Sequence, residues 1–234
     1  MVSNMKSLVI IPAYNESENI KNTVQTLMEK APQFDYVVVN DHSKDDTLKI
    51  LQENHINYIN LPTNLGIGGA VQTGYQYAYE NGYDMAVQVD GDGQHDPAYL
   101  NQLVETMQKE DADMVIGSRF INKEGFQSTF ARRVGINYFS HLIKQLTGKT
   151  ITDPTSGFRL ANRRVIALFA QDYPRDYPEP ESIVALLKRG LKVVEAPVVM
   201  KERQGGQSSI RLQNSIYYMI KVTIAILIEN MRKY

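Results

Sequence analysis

Residues 89–96 read Val-Asp-Gly-Asp-Gly-Gln-His-Asp, gathering three carboxylates and one imidazole at the end of an apolar run. Asp90 and Asp92, one residue apart, can present oxygens to a single hard cation such as Mg²⁺ or Mn²⁺, which prefers oxygen ligands and shares them with substrate phosphates. Gln94 can add a neutral oxygen, and Gly91 and Gly93 permit the tight backbone of such a turn. The calcium-loop pattern is not met, because it asks for a third acid or amide of shorter reach and a glutamate at position twelve. An Asp-Gly turn that is merely solvated is the competing reading, and the position after a buried strand favours the cation.

A second glycine-rich stretch, Gly66-Ile67-Gly68-Gly69, follows Asn64 and Leu65. Val71 stands where a dinucleotide fingerprint requires its last glycine, and no Lys-Ser or Lys-Thr completes a P-loop, so both nucleotide-binding types are disfavoured. Two readings stay open: a helix start packed closely on a strand, or a direct phosphate contact.

The elements that must position these residues alternate. Leu8 to Ile11, Tyr36 to Val39, Tyr58 to Leu61, Met85 to Val89 and Met114 to Ile116 are short apolar runs that predict buried strands. Helical spacing fills Ser17 to Lys30, Lys44 to Asn54, Gly68 to Asn81 and Pro97 to Lys109, with start signals at Ser17 and at Asp96-Pro97. Such alternation predicts an α/β fold with parallel strands joined by helical crossovers, whose ligands bind beyond the carboxyl ends of the strands. The polar ends Ala13-Tyr14-Asn15-Glu16, Asn40-Asp41 and Asp90-Gly91-Asp92 should therefore meet in one crevice. Farther on, helices are expected at Arg133 to Leu146, Arg163 to Ala170 and Pro180 to Lys188, and a strand at Lys192 to Met200. Pro174, Pro178 and Pro180 suggest a surface loop.

The 234 residues suit one large α/β domain. A formal charge of −1 argues against a nucleic-acid partner, and the absence of cysteine excludes disulfides and thiolate metal sites. The first residues lack the apolar core of a signal peptide, which leads to the expectation of a cytoplasmic chain.

The ordered motifs Val9-Ile10-Ile11-Pro12-Ala13-Tyr14-Asn15-Glu16, Val37-Val38-Val39-Asn40-Asp41, Asn64-Leu65-Gly66 and Asp90-Gly91-Asp92 closely resemble the family 2 glycosyltransferases of GT-A fold. Gly117-Ser118-Arg119, Asp153 to Arg159 and Glu202 to Ser209 are similar to the polyprenyl-phosphate branch, typified by dolichyl-phosphate mannose synthase and bacterial undecaprenyl-phosphate sugar transferases. The resemblance implies a Rossmann-like, mixed and mostly parallel sheet flanked by helices. It implies nucleotide contacts from Pro12, Ala13, Tyr14, Glu16, Asp41, Asn64, Gly69, Asp90 and Gly91, with Asp41 accepting from the base. Asp90, Asp92 and Gln94 would surround Mg²⁺ or Mn²⁺. Asn40 stands where the family often has a first aspartate.

Arg119, Arg133 and Arg159 are the implied acceptor-phosphate residues, since the planar guanidinium gives paired, charge-assisted hydrogen bonds; an ordinary surface or ion-pair role is the alternative. The reaction expected is inverting transfer of a sugar, glucose or N-acetylglucosamine on UDP being favoured, to undecaprenyl phosphate for the cell envelope. A phosphate monoester is already anionic near neutrality, its second pKa being about 6. Catalysis then rests on alignment and on the departing diphosphate, with Asp92, Arg119 and Arg203 in those roles. Asp153 is either a base or a turn residue beside Pro154, and Glu181 a helix first-turn acid.

Ile216 to Ile228 is mostly apolar and holds thirteen residues, short of the about 20 that span a bilayer. Residues 1–210 are thus expected to form the catalytic domain, and 211–234 a C-terminal amphipathic helix on the inner membrane face, beside a small integral-membrane partner or in a homo-oligomer seam. Packing on the domain's own core is the alternative. Two other functions stay open: transfer to a sugar hydroxyl in polysaccharide assembly, and a non-catalytic nucleotide-sugar-binding module.

Overall fold

The computed structural model describes residues 5–122, 124–125, 129–201 and 215–232. Arg203 and the glycine-rich loop around it lie outside the described residues.

The first strand, β1 (Ser7–Ala13), is buried along its whole length. Its side chains alternate: Leu8 and Ile10 join the core on one face of the sheet, Val9, Ile11 and Ala13 the core on the other. A strand that buries both faces must be central and covered by helices on both sides. That is its place in a seven-stranded sheet of order β3-β2-β1-β4-β6-β5-β7. The others are β2 (Asp35–Asn40), β3 (Tyr58–Asn60), β4 (Met85–Gln88), β5 (Met114–Ser118), β6 (Arg159–Asn162) and β7 (Val193–Pro197). All neighbours run parallel except β6, which is antiparallel to both β4 and β5. The expected mixed, mostly parallel sheet is thus present.

The helices are α1 (Ile20–Lys30), α2 (Thr47–Glu53), α3 (Gly66–Glu80), α4 (Leu100–Glu110), α5 (Phe130–Thr147), α6 (Arg163–Gln171), α7 (Pro178–Lys188) and α8 (Ser215–Met231). Helix α3 lies flush on β1 because Gly74 has no side chain; a Cβ there would stand 2.2 Å from Ile10 Cγ2. Gly68 makes a second close approach, where a Cβ would sit 2.2 Å from the Pro174 carbonyl oxygen, and its N–H donates to the Arg175 carbonyl at 3.1 Å.

Three expectations are corrected. Ser17 does not start α1: its N–H is taken by the Asp45 carboxylate at 3.1 Å, and the helix begins at Ile20. Pro178 and Pro180 belong to the first turn of α7 rather than to a loop, because a helix start needs no N–H from them. The strand β6 was not expected, since four residues headed by an arginine carry no strand pattern.

Helix α8 packs on the domain by part of its surface. Val222 and Ile226 enter the main core, while Tyr217, Ile220, Ile224, Leu227, Ile228 and Met231 are exposed. No helix among the described residues is long and apolar enough to cross a membrane.

Candidate active site

The sheet brings three polar strand ends to one rim. Ala13 pairs with Asn40 at the end of β1 and β2, and the Asp41 N–H donates to the Ala13 carbonyl at 2.9 Å. On the other side of β1 the Val89 N–H donates to the Ile10 carbonyl, so residues 90–92 stand level with Pro12. A Cβ on Gly91 would lie 3.1 Å from the Pro12 carbonyl oxygen, and the Gly91 carbonyl accepts from Thr23 Oγ1 at 3.1 Å. The absence of a side chain at Gly91 is what lets the acidic turn reach β1.

The loops after β1 and β2 are stitched together. The Asn15 N–H donates to Ser43 Oγ, Asn15 Oδ1 accepts from the Lys44 N–H, and the Glu16 N–H donates to Thr47 Oγ1. Asn15 and His42 adopt positive φ, 56° and 57°, the left-handed region that asparagine tolerates best among ordinary residues. Tyr14 is exposed at this rim, and Glu16 accepts from Asn19 Nδ2.

Asp41 is buried and takes two backbone N–H groups, from Leu65 at 2.6 Å and Gly66 at 2.9 Å, at the free amino end of α3. Its backbone carbonyl accepts from Asn64 Nδ2. Burial pushes the Asp41 carboxyl above its usual range, against the pull of these donors and of His42. The Asp41–Asn64 pairing fixes how the chain enters α3. Gly69 faces Leu65, whose Cβ would stand 2.4 Å from an added Cβ, so packing accounts for this glycine.

Around the acid pair, Asp92 is buried and its Oδ1 accepts from the Gln94 N–H at 3.1 Å, while Asp90 keeps 34 % of its side chain exposed. Gln94 turns its Nε2 to the Lys201 carbonyl at 3.3 Å. Oxygens from two carboxylates and an amide form a donor set that suits a hard divalent ion sharing its remaining positions with phosphate. Next to them Asp96 bonds Lys30 at 2.8 Å and Lys201 at 3.2 Å. Burial alone would raise the Asp96 carboxyl, but the bonds from Lys30, the Ala98 N–H and Lys201 outweigh it and hold the group below its usual range.

The opposite wall is the loop from Thr152 to Phe158, which leads into β6. A Cβ on Gly157 would stand 2.8 Å from Gln88 Nε2 and 3.2 Å from Asp90 Oδ1, so this loop touches the acidic turn. Asp153, fully buried, holds the Arg119 guanidinium by two bonds of 2.7 Å and accepts from the Arg119 backbone N–H at 3.2 Å. Beneath it Glu195 accepts from the Thr152 N–H, Thr152 Oγ1 and the Asp153 N–H at 2.8–2.9 Å. Burial raises the Glu195 carboxyl in spite of these donors. Asp153 therefore orients Arg119 and is ill placed to take a proton from a substrate.

Arg159 departs most from expectation. It is 1 % exposed, and its guanidinium donates to the carbonyls of Ser156, Glu179 and Pro154 and to Ser182 Oγ at 2.6–2.9 Å. A group so enclosed braces the loop against α7 and does not reach an acceptor phosphate. Arg133 is exposed in the first turn of α5. Sequence reasoning passed over Gln88, Glu179 and Glu195, and gave no role to His95, which it noted among the acids. Only Gln88, a polar residue inside the run Met85 to Val89, carried a readable signal.

The mixed α/β sheet thus carries a carboxylate pair after its middle strand, β4, and an arginine after β5 held by Asp153. Residues 8–169 match glycosyl transferase family 2, and the chain belongs to that family as a glycosyltransferase. It is 31 % identical over 215 residues to undecaprenyl-phosphate mannosyltransferase of Micrococcus luteus, covering 88 % of each chain. It is 30 % identical to polyprenol monophosphomannose synthase of Mycolicibacterium smegmatis, covering 93 % of this chain and 85 % of that one. Its fold also matches glucosyl-3-phosphoglycerate synthase of Mycobacterium tuberculosis, solved with Mn²⁺, UDP-glucose and phosphoglyceric acid, with a TM-score of 0.77 at 16 % identity over 99 % of this chain and 82 % of that one.

Proposed function

We propose that the protein transfers a sugar, with inversion, from a nucleotide-sugar to a polyprenyl phosphate, with UDP as the carrier and glucose or N-acetylglucosamine as the preferred sugars. The observation that carries this reading is the meeting, at Gly157 and Asp90, of the acidic turn with the loop that holds Arg119. Relatives that share this length of chain are named for polyprenyl-phosphate acceptors, and one is a UDP-N-acetylglucosamine–dolichyl-phosphate transferase of Methanococcus voltae, 31 % identical.

In this reading Pro12, Ala13, Tyr14, Glu16, Asp41 and Asn64 form the floor for the nucleoside. Asp90, Asp92 and Gln94 hold Mg²⁺ or Mn²⁺, which when bound neutralises the departing diphosphate. Arg119, fixed by Asp153, faces the incoming phosphate. The acceptor oxygen is anionic at neutral pH, so no side chain has to remove a proton. Alignment then does most of the work, and the buried bracing of Asp153 and Glu195 keeps it from drifting. Arg203 is assigned to the diphosphate from the resemblance alone. The chain acts at the cytoplasmic face of the membrane, where the exposed apolar stripe of α8 and exposed Val134 and Arg133 of α5 suit an anionic lipid surface. Contact between the two helices is direct: Tyr138 and Thr223 hydroxyls lie 3.2 Å apart.

The test is transfer of label from a panel of UDP- and GDP-sugars to undecaprenyl phosphate in detergent, with and without Mn²⁺. Label should enter the lipid phase from one donor, and Asp92→Ala should reduce its rate at least about 100-fold, the scale of losing a group that stabilises transition-state charge. Unchanged activity in that variant would overturn the assignment of the acidic turn.

A further inference from the structure

The Asp90 carboxylate is held from behind by two residues that have no other task in the site. Gln88, the last residue of β4, is buried and donates from Nε2 to Asp90 Oδ1 at 2.9 Å. Its Oε1 is buried with no hydrogen-bond partner among the described residues. A buried orphan oxygen lowers stability, and an apolar residue of the same size would remove that loss. Turning the amide over would set Oε1 against the carboxylate, so Asp90 dictates the orientation that leaves Oε1 unpaired.

His95 supports the other side. Its ring is buried and stacks on Phe158, with centroids 4.9 Å apart and planes 11° from parallel. Nδ1 accepts from the Asp90 N–H at 3.1 Å. A nitrogen that accepts carries no proton, so the neutral ring bears its hydrogen on Nε2. That nitrogen faces Asp90 Oδ2 at 3.7 Å. One imidazole thus fixes the backbone of Asp90 and lies beside its carboxylate, beyond hydrogen-bond distance, and Phe158, next to Gly157 in the opposite loop, stacks on the imidazole.

We propose that Gln88 and His95 are positioning residues that aim the Asp90 carboxylate at the cation before nucleotide arrives. The inference rests on the reading of Asp90 as a cation ligand. Groups that orient a ligating carboxylate typically govern metal affinity by 10–100-fold.

The experiment titrates Mn²⁺ into the full chain in the presence of UDP and follows the free-ion electron paramagnetic resonance signal, so no turnover is needed. His95→Phe keeps a ring against Phe158 and loses both nitrogens. Gln88→Met keeps the volume, loses the donor and removes the orphan oxygen. Each should need at least about ten times more Mn²⁺ for half-saturation. His95→Asn, whose side-chain oxygen can still accept from the Asp90 N–H, should recover part of the loss. Gln88→Met should melt no lower than the unsubstituted protein while binding Mn²⁺ more weakly, a split that a purely structural role would not produce. Wild-type affinity in both His95→Phe and Gln88→Met would overturn the inference. Absence of Mn²⁺ binding by the unsubstituted protein with UDP would instead overturn the cation reading beneath it.

Discussion

Arg159→Met separates the two roles open to a buried arginine, brace or phosphate ligand, on magnitude alone. The guanidinium donates to four acceptors, three of them backbone carbonyls from two separate segments. Each such bond to a charged donor contributes about 1.5–3 kcal/mol net. Relief from burying the cation offsets several kcal/mol of their sum, and breaking buried charged arrangements typically costs about 3–5 kcal/mol net. In a chain of this size each kcal/mol lowers the melting temperature by about 2–4 °C, so the variant should melt about 6–20 °C lower. Arg159→Lys keeps the charge but reaches fewer of the four acceptors and should fall between. Scanning calorimetry measures the stability, and acceptor kinetics at low temperature supply the second axis. A melting temperature within about 2 °C of the unsubstituted protein, together with a large rise in KM for polyprenyl phosphate, would refute the bracing role and restore Arg159 as a phosphate ligand.

Glu181→Gln should raise the melting temperature at pH 7. Burial, and then Glu229, push the Glu181 carboxyl above its usual range, with Arg232 pulling the other way. A raised acid in the folded state binds its proton more tightly than in the unfolded chain, so stability falls as pH rises through that window. The advantage of glutamine should shrink below about pH 4.5, and a constant offset at every pH would contradict this origin. Gly68→Ala would place a Cβ within 2.2–2.6 Å of backbone atoms of Pro174 and Arg175. Overpacking of this kind should lower stability by about 1–3 kcal/mol in urea denaturation, and an unchanged midpoint would show that the 174–175 backbone yields.

How much of this was legible in the sequence follows from the range of the interactions. Strands β1, β2 and β4 could be read because each is a run of β-branched and apolar residues buried on both faces, and the turn residues that follow them name the rim. The site's second wall could not. β6 opens with an arginine whose partner Glu179 lies 20 residues away and whose register partner Gln88 lies on β4. No local period records such a pairing. Asp41 was assigned to a nucleotide base from the resemblance, whereas its two bonds to the start of α3 depend on a contact 24 residues distant. Ser17 looked like a helix cap because Ser is a good one. Asp45, brought close by the Asn15–Ser43 stitching, took its N–H first.

The reversed direction of β6 has a consequence for how the molecule could change. An antiparallel strand begins at the rim where its parallel neighbours finish, so the chain leaving β5 returns through α5 to the same rim, and the loop from Thr152 to Phe158 arrives beside the acidic turn. The rim is consequently assembled from two stretches of chain with separate scaffolds: strands β1 to β4 carry one, and β5, β6 and β7, clasped by Glu195, carry the other. Asp90 stands at the seam. Exchanging the later stretch between relatives, with Gly157 kept, would set a new second wall opposite an unaltered first one.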